Sequence, residues 1–439
     1  MLAQYYNILK DLIAYKSIST DTQYISEMKG ITTYLQKLFH EHKRDVEVVS
    51  QYGNPVVLAS YTVDPNLPTC LLYGHYDVQF AEKSEWWKHD PFSLYLSKDK
   101  IYGRGVSDDK GQFLIHLLTI FDLIEDNNLA YNIIWVLEWE EEVGSRNLAT
   151  FLTEYKTKLK ADFALISDSS IIGDTPCIDV GYRGSCNAKL KLTTANTDVH
   201  SGSYGWVIPN AIHEASDLLS KLFDTNNRVT VPYFYYNVED ITADILVNHR
   251  KMKVDFEKLK VDIGVKTIIV DKEYDYLTQI GLRPTIQVTG IHSGYVGEGF
   301  KNAIPATATI HLNFRLVKNQ QVDDVVKWFE QWLTTVIPYY VTYDFQVFDK
   351  AQAAKISLQG KYLRKAELIL KTLFDKKVFY QYSWGTLPIV NLFSDILWTE
   401  NLLIGLCNDD CNIHGVNENF DIALIEKWFQ FSHAFFAKK

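Results

Sequence analysis

At 439 residues the chain is too long for one ordinary hydrophobic core, and the usual size of domains implies about two or three. Its 47% hydrophobic and 22% charged residues are those of a globular protein able to bury a large core. With 44 basic against 54 acidic residues and a formal charge of -10, it lacks the basic footprint of a nucleic-acid binder.

The N-terminal segment MLAQYYNILKDLIAYKSIST has no basic start, no continuous apolar stretch and no small-residue cleavage site. No apolar run reaches membrane-spanning length. Cys70, Cys177, Cys186, Cys407 and Cys411 are few, odd in number and scattered, unlike a disulfide framework. A soluble cytoplasmic protein with no membrane partner is therefore expected.

Along the first 180 or so residues, short apolar runs alternate with helical patterns. Leu71-Leu72-Tyr73, Ile133 to Leu137 and Phe163 to Ile166 have the length and apolarity of buried parallel strands, as does Leu402 to Leu406 near the C-terminus. Between them, Phe113, Leu117, Ile120, Phe121 and Ile124 fall at helical spacing. From about Ser185 to Lys350 the pattern changes: residues 306 to 315 alternate as a half-buried strand, and 210 to 223 and 322 to 336 have helical periodicity. The expected fold is mixed α/β, a mainly parallel-sheet domain carrying an inserted α+β unit. Its borders are expected at 1-184, 185-350 and 351-439. Helical patterns resume near Tyr362 and at 421 to 437.

Each buried run is followed at once by polar residues. His75 and Asp77 follow the first, Glu141 and Glu142 the second, Asp168 the third, and a stretch reaching His414 the fourth. In a parallel sheet, ligands bind beyond the carboxyl ends of the strands. Taken singly, each feature has a bland explanation. His75 and Asp77 can form a loop hydrogen bond, Asp108 and Asp109 can cap the helix after them, Glu140 to Glu142 can be a solvated acidic run, and Asp168 can be a turn residue. Caps, turns and surface charge have no reason to recur at successive strand ends, whereas a cation site does.

The segments YGHYDVQ, WWKHDPF, YGRGVSDDKG, EWEEEVGS, LISD, DVHSGSYG and NDDCNIHGVNE, in this order, resemble the di-zinc peptidase family that includes carnosinase-like dipeptidases, carboxypeptidase G and succinyl-diaminopimelate desuccinylase. The run from YGHYDVQ to YGRGVSDDKG is most similar to the carnosinase-type branch. The resemblance implies His75 and His414 as terminal ligands, Asp108 bridging two metals, and Glu142 and Asp168 on one metal each. Asp77 would orient His75, and Glu141 would be the general base. His200 would stabilise the tetrahedral oxyanion, often across a dimer, while Asn302, Arg315 and Thr386 would contact substrate. Three carboxylates balance three of the four charges on two divalent ions, and a bridging hydroxide would balance the fourth. Mixed His and carboxylate ligands favour zinc, with manganese or cobalt as alternatives. The implied enzyme hydrolyses dipeptides or short peptides as a homodimer, its mainly parallel-sheet domain catalytic and its inserted α+β unit a lid and dimerisation domain.

One loop departs from the family. Carnosinase-like relatives carry an Arg-Glu-Gly-Gly-Ser-Ile-Pro type segment where this chain has Tyr382-Ser383-Trp384-Gly385-Thr386-Leu387-Pro388, which keeps a hydroxyl but loses the charges. Two other readings stand beside the dipeptidase: an N-acyl amino acid amidohydrolase with the same metal centre, and a non-catalytic zinc or peptide binder using Cys407, Cys411 and His414. Trp86 and Trp87 are read as loop packing.

Overall fold

A computed structural model describes residues 1-438 apart from 54, 253 and 272. The four apolar runs are adjacent parallel strands. Asn132–Glu138 pairs with Thr69–His75, which pairs with Phe163–Ile166, which pairs with Glu400–Leu403. Apart from Thr69 and Glu400 at their starts, all their residues are buried, as strands covered on both faces must be. Antiparallel strands Val46–Val49 and Val56–Tyr61 extend one side; Cys177–Tyr182, with Ala354–Lys355 and Phe379–Ser383 beside it, extends the other.

Helix Lys110–Glu125 packs on the strand Thr69–His75 and against helices Leu2–Ala14 and Ile422–Phe436. Enclosed this way, it is buried nearly all round and correspondingly apolar on every face. Its approach to the sheet depends on Gly74. A Cβ there would lie 2.6 Å from Phe113 Cβ and 3.0 Å from Asp109 Oδ2, so any larger residue would push the helix start off the strand end.

The chain leaves this sheet at Gly184–Thr193, which opens a second, antiparallel sheet in the order Thr285–Ser293, Thr307–Leu316, Gly184–Thr193, Thr342–Ala351. Thr307–Leu316 buries every second residue, the pattern of a sheet with one covered face. That face packs on helices Ala211–Leu222 and Val322–Val336, with Leu190, Ile310, Phe314, Leu218, Phe329 and Leu333 in a core of their own. Three further helices, Ala243–Lys251, Phe256–Ile263 and Tyr276–Leu282, follow within this unit. The first and third lie against Phe379–Ser383, where Asn248 Nδ2 donates to the Tyr380 carbonyl at 2.8 Å, so this strand is covered rather than left as an open edge. Among the described residues no helix is long and apolar enough to cross a membrane.

Candidate metal centre

The carboxyl ends of the four parallel strands open onto one place. His75 ends its strand, Glu141 and Glu142 form a single helical turn after Asn132–Glu138, Asp168 follows Phe163–Ile166 by two residues, and Asp108 precedes helix Lys110–Glu125. His414 reaches the same place from the loop after Glu400–Leu403, in a left-handed backbone conformation with φ 61°.

Two donor groups share one member. His75, Asp108 and Asp168 form the first; Asp108, Glu142 and His414 form the second, with ligand atoms within 4.8 Å of one another in each. His75 Nε2 is 2.9 Å from Asp108 Oδ1 and 3.8 Å from Asp168 Oδ2. His414 Nε2 is 2.9 Å from Asp108 Oδ2 and 3.1 Å from Glu142 Oε2. The two oxygens of Asp108 therefore face different groups, the arrangement a bridging carboxylate needs.

The proton on His75 tests whether a cation fits. Its Nδ1 lies 3.1 Å from the backbone carbonyl of Asp77, which can only accept, so Nδ1 carries the hydrogen. Nε2 is buried, without a hydrogen bond of its own and directed at carboxylate oxygens; burial opposes charge on the ring, but Asp108, Asp168 and Asp77 outweigh it and raise His75 well above its ordinary value, so the pocket draws positive charge to this nitrogen. Acceptors converging on acceptors call for a cation between them. A tetrahedral ion with bonds of about 2.0–2.2 Å sets its ligand atoms about 3.3–3.6 Å apart, close to the separations here.

The electrostatics agree. Burial pushes Asp168 and Glu142 upward, Glu142 to about 7, and the charge on Asp108 adds to both. Burial likewise drives Glu141 well above the carboxylate range, with Asp168, Glu142 and Asp108 adding to it against His75. Burial opposes charge on His414 too, but Asp108 and Glu142 outweigh it and raise the ring to about 11. Asp108 is held well below its ordinary range because His414 and His75 overcome the burial penalty. The pocket is short of positive charge, and divalent ions supply it.

The donors are supported by Asp77 and Asp109, and by two features that were not singled out from the sequence, Gln79 and the Arg104–Glu418 pair. Asp77 Oδ1 lies 3.3 Å from His75 Nδ1, and its other oxygen accepts from the Glu142 amide at 3.2 Å. Gln79 donates to both oxygens of Glu142, from its amide at 3.0 Å and from Nε2 at 2.8 Å. Asp109 accepts from the His75 amide at 3.2 Å rather than capping the helix after it. Glu418 is fully buried and accepts from Arg104 Nη1 (2.8 Å) and from the amides of Gly105 (3.1 Å), Ser107 (2.8 Å) and Asp108 (3.1 Å). Arg104 Nη2 also donates to the carbonyls of His414 (3.3 Å) and Gly415 (3.2 Å), so this pair ties the Asp108 loop to the His414 loop. Gln79, Arg104 and Glu418 lie inside the motif segments YGHYDVQ, YGRGVSDDKG and NDDCNIHGVNE, which is the signal that could have found them.

The remaining expected site residues fall in two other places. Arg315 and Thr386 meet, Nη1 donating to Oγ1 at 3.0 Å. His200 and Asn302 line an open concavity of the inserted unit together with Asp198 and Lys301, outside both donor groups. There His200 Nδ1 accepts from the Gly202 amide at 3.1 Å, leaving Nε2 as a solvent-facing donor. Both donor groups are free of cysteine, and the Cys407 thiol, pushed well up by burial, donates to the Ser107 carbonyl at 3.3 Å. Of the two tryptophans, Trp87 packs in the loop against the Arg104 guanidinium, 5.4 Å from the ring centroid; Trp86 is 89% exposed.

Residues 180-341 match the peptidase dimerisation domain of the M20 family. The chain is 26% identical over 375 residues to the Beta-Ala-His dipeptidase of Rattus norvegicus, covering 84% of this chain and 76% of that one. It is 27% identical over 393 residues to a Cys-Gly metallodipeptidase of Candida albicans, covering 84% and 78%. Among solved structures, an M20 family metallo-carboxypeptidase from Sulfolobus solfataricus superposes with a TM-score of 0.88 at 27% identity, covering 98% of each chain.

Proposed function

We propose that this homologue of the M20 metallodipeptidases is a metal-dependent hydrolase of dipeptides and short peptides that end in a free carboxylate. The observation carrying the reading is the pair of donor groups joined through Asp108, with Glu141 at their side. His75, Asp108 and Asp168 would hold one divalent ion and Asp108, Glu142 and His414 a second, zinc before manganese or cobalt, and when bound the ions would acidify a water and polarise the scissile carbonyl.

The chain's own groups do the rest. Asp77 fixes the His75 ring with Nε2 toward Asp108, where it would be free to hold an ion. Glu141 takes the attacking water's proton as the C–O bond forms, and delivers a proton to the leaving nitrogen as the C–N bond breaks. Arg315, assisted by Thr386, holds the C-terminal carboxylate, a reading supported by the carboxypeptidase named among the structural neighbours. His200 and Asn302 would act from the partner subunit of a homodimer formed through the inserted unit, whose borders we place at 185 and 350.

The named relatives are dipeptidases, which favours peptide over N-acyl substrates. The test is to strip and restore metal, then compare dipeptides with N-acetyl amino acids. Activity should vanish on chelation, return with about two ions per chain, and favour dipeptides. Full activity of the stripped protein, or faster turnover of N-acetyl amino acids, refutes the reading.

A further inference from the structure

Arg315 has an arginine neighbour. Arg315 is in register with Ser185 on the adjoining strand, and Arg183 lies two residues before Ser185, near enough for the charge of Arg315 to act on it. The segment 384-386 receives both: Arg183 Nε donates to the Trp384 carbonyl at 3.1 Å and its amide to the Gly385 carbonyl at 2.9 Å, while Arg315 Nη1 donates to Thr386 Oγ1 at 3.0 Å. Arg315 Nε is taken by Asn313 Oδ1 at 3.0 Å. Every one of these acceptors is neutral, and the loop Tyr382 to Pro388 contains no charged residue. Among the described residues neither guanidinium has a carboxylate partner. Burial, and after it the charge of Arg315, lowers Arg183 to about 10, and burial lowers Arg315 as well, so both arginines are held half-buried at a cost that an anion would reduce.

One carboxylate occupies one guanidinium fork, and the second fork remains open. The loop residues that anchor the two arms are two apart in sequence, their Cα atoms at most about 7 Å apart, and the charge of Arg315 acts on Arg183, so the two guanidiniums are neighbours, as the two carboxylates of one acidic residue would require. We propose that Arg183 and Arg315 together read the leaving residue of the substrate, selecting peptides whose C-terminal residue is aspartate or glutamate. The proposal rests on the reading of Arg315 as the carboxylate-binding residue. Arg315 would take the α-carboxylate and Arg183 the side-chain carboxylate.

The experiment compares kcat/KM of the metal-loaded enzyme for Ala-Glu against Ala-Gln and for Ala-Asp against Ala-Asn. Wild type should favour the acidic member by about tenfold or more, as a hydrogen-bonded charge pair implies. Arg183→Gln should lower Ala-Glu about tenfold more than Ala-Gln, and Arg183→Lys, which keeps the charge without the fork, should fall between. In metal-free protein, calorimetry should find glutarate bound more weakly by Arg183→Gln than by wild type. Equal wild-type rates on the acidic and amide dipeptides overturn the proposal, whether or not Arg183→Gln folds. So does an equal loss on both substrates in a variant whose melting temperature is unchanged. Failure to cleave any of the four dipeptides would instead bring down the proposed function, and this assignment with it.

Discussion

Glu418→Gln and Glu418→Ala test whether the ligand geometry is built by a buried charge pair. Glu418 is fully buried and Arg104 is 3% exposed, so neither side chain has solvent to fall back on. Burial, with the charge of Asp108 adding to it, pushes the Glu418 carboxyl upward against the opposing pull of Arg104 and the Ser107 and Gly105 amides. Removing one partner of such a pair costs about 3–5 kcal/mol. Glu418→Ala also strips acceptors from three amides at about 1 kcal/mol each, partly relieved by water entering the space left behind. A loss of about 5 kcal/mol is expected for the alanine variant, comparable to the whole stability of a marginal domain. Glutamine keeps the shape and an acceptor oxygen but not the charge, so about 2–3 kcal/mol is expected. Urea unfolding with chelator present measures this. Chelator competition measures the second effect, a tenfold or greater loss of metal affinity, because the Asp108 amide and the His414 carbonyl both hang on the pair. A Glu418→Gln protein within about 0.5 kcal/mol of wild type and with unchanged metal affinity would refute the argument.

Glu141→Gln should reduce kcat at least about a hundredfold with metal content nearly intact, whereas Glu142→Gln should weaken metal binding; the reverse pattern in metal analysis and kinetics would overturn the division of roles. Mixing inactive Glu141→Gln chains with inactive His200→Ala chains should restore part of the activity through one intact composite site per mixed dimer, and no recovery despite demonstrated subunit exchange counts against sharing. Burial pushes His116 down to about 3 from 6.5, so the unfolded chain takes up its proton first and the stabilisation present above pH 6.5 is lost as pH falls toward 3. Between about pH 6 and 5, wild type should lose about 1 kcal/mol more stability than His116→Gln in urea titrations, and parallel slopes would show that His116 does not couple folding to pH.

The candidate donors His75, Glu142 and Asp168 were legible because each stands shortly after a buried apolar run stops, and runs such as Ile133 to Leu137 can be read without knowing their neighbours. The helices at 322-336 and 422-436 were legible for a similar reason, since periodicity is local. His116 shows the limit. Inside an apolar helix it looks like any buried residue, and only the fold reveals Ser432 Oγ at 3.0 Å on one ring nitrogen and Ser167 Oγ at 3.0 Å on the other. Arg104 and Glu418 are 314 residues apart, and nothing in either segment alone says that one charge is buried against the other. Arg183 is concealed differently: its partners are backbone carbonyls of Trp384 and Gly385, which every residue type possesses. The neutral loop made the sequence look deficient, a site that had lost its charges. With Arg183 and Arg315 both anchored on it, the same neutrality has a physical use. An acidic residue there would pair with the guanidiniums and occupy the forks that a substrate carboxylate needs.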